Sequence, residues 1–108
     1  MNTSAIQAAE DALYDESKIL ADLAAKVRQL GHPAVADRIL NAHVKLGGEG
    51  GPETRLLAAL PDLRGAADTL RDAGELELAI QIRVSCSHMS RCVDRLMPDT
   101  LVDMSTDP

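Results

Sequence analysis

Four side chains towards the C-terminal end carry the chain's most distinctive chemistry: Cys86, His88, Met89 and Cys92. Thiolate, thioether and imidazole are ligands for soft and borderline metals such as copper(I) and zinc. Spacing decides whether they can act together. His88 and Cys92 are four residues apart, which makes them neighbours on a helix surface. Cys86 lies six residues from Cys92, about 120° away around a helix at 100° per residue. It falls with Met89 on an apolar face, where both read as core packing. A structural zinc site needs four ligands. The sequence therefore predicts no metal and no cofactor. Cys86, His88 and Cys92 stand as weak metal candidates that a two-fold partner would have to complete.

The two cysteines cannot form a disulfide within an intact helix. Their rise along the axis is about 9 Å, and the Cα atoms of a disulfide must approach within about 7 Å. Reduced thiols fit a cytoplasmic protein. His43, on the inward side of the second helix, reads as a hydrogen-bonded core histidine rather than a ligand. His32 lies in a turn and is expected to contribute to its cap.

Catalytic motifs are missing. The chain has no Glu-x-x-His pair, no His-Glu-x-x-His and no Gly-x-Ser-x-Gly. Tyr14 is the one aromatic residue, so no second ring is available to stack a base or a flavin. These readings predict a protein without catalytic activity.

The metal candidates sit on the stretch from Glu75 to Met97, around which the other segments are layered. From Leu76 to Cys86 apolar and polar residues alternate, a strand pattern when taken alone. Two arguments favour a helix. The helical pattern runs on to Met97, too far for an ordinary strand, and no other segment offers an alternating partner for its backbone. As a helix, the stretch puts Leu78, Ile82, Cys86, Met89, Val93 and Leu96 on one face. Leu76, Ile80 and Val84 form a second apolar stripe. Further along that side come Arg83, Ser87, Arg91 and Arg95. A helix apolar on two sides is usually covered on two sides. The sequence thus predicts an interface of Leu76, Ile80, Val84, Arg83, Arg91 and Arg95 with a neighbouring element or a second copy. The arginines either face water or meet the acidic half of the first helix, in the same chain or another.

Upstream, a helix is expected over about 4–30, with Ser4 as N-cap and Gln7 completing a capping box. Its seam is Ile6, Ala9, Leu13, Glu16, Leu20, Leu23, Val27 and Leu30. Glu16 breaks the apolar run. It is expected at the seam's edge, reaching water; the alternative is a buried carboxylate paired with an Arg or His of a neighbouring helix. Gly31-His32-Pro33 ends that helix and opens the next, over 33–46. Val35, Ala36, Ile39, Leu40, His43 and Leu46 should line its inner side. Gly47-Gly48-Glu49-Gly50-Gly51 reads as a linker, not a phosphate loop, since no Gly-Lys-Ser/Thr follows. A third helix is expected over 52–73 on the seam Leu56, Leu60, Leu63, Ala67 and Leu70. Pro61 inside it predicts a kink or a break near 57–61. Gly74 separates it from the last helix, over 75–97, which Pro98 stops. Residues 99–108 read as a short acidic tail.

Shifting the chain by 43 residues aligns its halves: Leu13 with Leu56, Leu20 with Leu63, Ala24 with Ala67, Val27 with Leu70, Arg28 with Arg71, Gly31 with Gly74, Ala36 with Ala79 and Ile39 with Ile82. Either this is an internal repeat, or any two amphipathic hairpins with a glycine turn align as well. Both readings predict an all-α, up-and-down four-helix bundle built from two αα-hairpins, as a single domain over 1–98.

With 108 residues and a net charge of −6, the chain lacks the concentrated basic surface that nucleic acid or an anionic membrane requires. No segment approaches the roughly 20 apolar residues of a membrane span, and no targeting signal is visible, so a cytoplasmic location is expected. A chain this short buries a modest core and gains from association. The resulting expectation is a self-associating, dimeric protein-interaction module, acting as an accessory or regulatory subunit. The alternative is a small-ligand or soft-metal carrier using Cys86, His88, Met89 and Cys92.

Overall fold

The computed structural model describes residues 3–94. They form four helices: α1 (Thr3–Gln29), α2 (Pro33–Leu46), α3 (Pro52–Asp72) and α4 (Leu76–Asp94). Each packs on its neighbours in the cycle α1–α2–α3–α4, and α1 also meets α3 across the diagonal. This is an up-and-down four-helix bundle of two αα-hairpins, 52 by 27 by 17 Å. The part of the Glu75–Met97 stretch from Leu76 to Asp94 is helical. Among the described residues its strand alternative is not realised.

The core is aliphatic apart from Met89 and the buried Ser17 and Ser85. Leu13, Leu20, Val27, Ile39, Leu46, Leu63, Leu70, Ile82 and Met89 are its largest fully buried side chains. With no Phe or Trp available, alanines at the contacts (Ala9, Ala36, Ala42, Ala59, Ala66) let the helices approach closely.

The offset of 43 residues reappears in three dimensions. Both hairpin turns are Schellman caps. The amide of His32 donates to the Val27 carbonyl at 3.1 Å, and the amide of Glu75 to the Leu70 carbonyl at 2.8 Å. Gly31 and Gly74 sit at φ 95° and 88°, in the left-handed region where a Cβ is disfavoured. Ala36 and Ala79 then donate to the carbonyls of His32 and Glu75. All eight aligned pairs agree in environment, the six apolar ones being buried. Both turns lie at one end of the bundle and touch, with His32 Nε2 3.3 Å from Glu75 Oε2. A residue meeting its own equivalent in this way marks a pseudo-two-fold axis running parallel to the helices.

The structure corrects several expectations. Pro61 does not break α3, which is continuous through it. Pro61 and Leu57 are both exposed, so the Leu57 carbonyl that loses its donor lies on the solvent side, where water can replace the bond. Ser4 lies inside α1 rather than capping it. Leu30, beyond the end of α1, is exposed, and so to a lesser degree is Leu40; Ala42 takes the inward position on α2 that had been expected of Leu40. Leu96, Arg95 and the acidic tail lie outside the described residues.

Candidate functional site

Three regions carry polar chemistry. The first joins α1 and α2. Ser17 Oγ lies 2.6 Å from His43 Nδ1, and the Ser17 carbonyl oxygen is 2.9 Å from the same nitrogen. With its proton on Nδ1 the ring donates to the carbonyl; with Nδ1 bare it accepts from the hydroxyl. His43 is thus the hydrogen-bonded histidine that the sequence predicts. Its partner was not anticipated, because Ser17 and Glu16 compete for one seam position between Leu13 and Leu20. Ser17 takes the buried side. Nearby, the largely buried Arg55 guanidinium pairs with Glu10. Its Nη1 also donates to the Leu46 carbonyl at 3.1 Å, capping the C-terminal end of α2. This corner ties three helices together and reads as structural.

The second region lies between α1 and α4. His88 Nε2 is 4.0 Å from Cys92 Sγ and 4.0 Å from Glu16 Oε2. The Glu16 side chain keeps only 14% of its surface exposed. The alternative reading of Glu16, a carboxylate facing a histidine of another helix, therefore describes it better than a side chain reaching freely to water. Both contacts use the same imidazole nitrogen, so they are not the relay of a catalytic triad, which engages both ring nitrogens. Met89, fully buried in the core, and Cys86, on the opposite flank of α4 towards α3, are separated from this pair. Among the described residues no three His, Cys, Asp or Glu side chains converge well enough to hold a metal ion.

The third region is the outward side of α4 with the groove beside it. Leu76, Ile80 and Val84 follow one another at spacings of four residues, and are 58%, 58% and 61% exposed. They point away from the core face of Leu78, Ile82, Met89 and Val93, as helical geometry requires. Arg83 reaches α3 and donates to Asp68 at 2.7 Å. It does not turn to the acidic half of α1. Arg91 is exposed. Between α3 and α4 a groove of about 570 Å³ is lined by Arg64, Arg83, Arg91, Ser87 and Ser90, with Cys86 on its wall. Burial pushes the Cys86 thiol above its ordinary pKa, and Arg64 and Arg83 partly oppose this. Arg64 was not anticipated from the sequence, since it is aligned with the groove only once α3 and α4 are docked.

The repeat provides an internal control. The positions equivalent to Leu76, Ile80 and Val84 are Pro33, Asp37 and Asn41 on α2, and these are also exposed. The fold accepts polar residues at two of these sites, so it does not require the α4 stripe to be apolar. No known protein family, curated protein or solved structure matches the chain. Among the described residues no helix is long and apolar enough to cross a membrane.

Proposed function

We propose that the protein is a small helical interaction module that self-associates as a dimer through the outward face of α4, acting as an accessory or regulatory subunit rather than as an enzyme. The observation that supports this is the aligned exposure of Leu76, Ile80 and Val84 at about 60% each. At the same positions of its own repeat the chain carries Pro33, Asp37 and Asn41. A continuous apolar stripe on a surface helix is a common docking feature.

The size of the stripe limits its strength. Complete burial of one such side chain contributes about 1.5–3 kcal/mol. Association entropy opposes the gain by several kcal/mol. A weak, concentration-dependent dimer follows, with a dissociation constant in the micromolar to near-millimolar range. Light scattering from about 10 µM to about 1 mM tests it. Mass should climb from one chain towards two across that range. A mass of one chain at every concentration would remove self-association.

A further inference from the structure

We infer that the groove between α3 and α4 is a binding site for a small organic anion: a phosphate monoester or carboxylate carrying a short apolar body. The inference goes beyond self-association and does not depend on it. The first support is charge. In a chain of net charge −6, three guanidinium groups, from Arg64, Arg83 and Arg91, line one groove against two carboxylates, Asp68 and Asp94. Asp68 is already engaged, by Arg83 at 2.7 Å and by Arg71 at 3.7 Å. Arg64 and Arg91 make no ion pair among the described residues. Unpaired arginines facing one concavity are suited to oxyanions, since the planar guanidinium donates two parallel hydrogen bonds to a carboxylate or phosphate.

The second support is again the repeat. Arg64, Asp68, Arg83, Ser87 and Arg91 correspond to Ala21, Ala25, Leu40, Val44 and Gly48 in the first hairpin. A hairpin of this design therefore folds without any of these charges or hydroxyls. Their concentration on one side of one hairpin is not a demand of the architecture.

The third support is the mixture of lining groups. Leu60 and Ala67 supply an apolar floor, Cys86 a half-buried thiol, and Ser87 and Ser90 neutral donors. An inorganic ion would leave the floor unused, whereas a short alkyl or aryl group beside the anionic head would cover it. The volume of about 570 Å³ lies within the range of small-molecule sites.

The test is an amide chemical-shift titration of the whole chain with n-butyl phosphate, butyrate, inorganic phosphate and n-butanol. Butyl phosphate or butyrate should shift the amides of Arg64, Arg83, Cys86, Ser87 and Arg91 saturably, more tightly than inorganic phosphate, with no response to butanol. Whichever organic anion binds more tightly identifies the head group. Arg64→Gln combined with Arg91→Gln should weaken binding at least about tenfold. Both side chains are exposed, so the fold should survive; should the double variant fail to fold, raising salt from about 50 to about 500 mM must weaken binding to the natural chain. No saturable shift up to about 10 mM, shifts spread over basic residues elsewhere, or affinity indifferent to both arginines and salt would overturn the inference.

Discussion

The two hairpins share one plan and differ in what they do with it. In both, a long helix ends in a left-handed glycine, the same Schellman bond closes the turn, and the second helix returns along the same apolar positions. In the first hairpin a part-buried side-chain hydrogen bond joins Ser17 and His43 across the two helices at 2.6 Å. Leu60 and Cys86 hold the equivalent positions in the second, where a charged groove runs alongside. On the outside, α2 presents Asp37 and Asn41 where α4 presents Ile80 and Val84. Shared positions are those the architecture needs. Positions that diverge while staying equally exposed are the ones free to carry a function.

The largest expected effect tests the shared part. Leu20→Ala and Leu63→Ala each empty a fully buried, equivalent site. Each should cost about 2–5 kcal/mol in a denaturant titration, with the two losses within about 1 kcal/mol of each other. A loss confined to one of them would break the equivalence of the halves. Next come Gly31→Ala and Gly74→Ala, which place a Cβ at a positive φ. Each should lower stability by about 1–2 kcal/mol, read from thermal melts.

The third prediction sharpens the difference. His43→Ala leaves the Ser17 hydroxyl without its partner in a partly buried site, at a cost of about 1–3 kcal/mol. Cys86→Ala leaves no polar group of another residue orphaned and should cost about 1 kcal/mol or less. Ser17→Ala on top of His43→Ala should cost less than the sum of the single changes, since no orphaned group then remains. Equal losses at positions 43 and 86 would contradict the assignment.

The smallest effect concerns pH. Folding raises the pKa of the Cys86 thiol, chiefly through burial. The unfolded chain therefore gives up this proton first as pH rises. The contribution of Cys86 to stability is fully present below the ordinary thiol range and is lost as pH climbs through the raised value. In a Cys92→Ser background, stability measured between neutral and alkaline pH should fall less steeply once Cys86→Ala is added.

Much of this fold was legible in the sequence, because helical periodicity, proline at the first turn and glycine at the end are local signals. The bounds of α2 coincide with expectation, and those of α1 and α3 differ by a residue. Of the kink or break expected at Pro61 the break does not occur, since the cost of a helical proline depends on whether the freed carbonyl meets water or core, and sequence does not say which. Ser17 and Glu16 could not be ranked without knowing how α1 is rotated against α2 and α4. Spacing along α4 separated Cys86 and Met89 from His88 and Cys92. The proximity of Glu16 to His88, and of Arg64 to Cys86, arises only from docking between helices.

The proposal that the outward side of α4 is a docking surface is tested most directly by sedimentation of the natural chain beside a variant carrying Leu76→Ser, Ile80→Asp and Val84→Asn, which gives α4 the polar character of α2. The natural chain should gain mass with concentration, while the variant stays at one chain and melts at the same temperature or higher. Identical masses for the two proteins at every concentration would contradict the proposal.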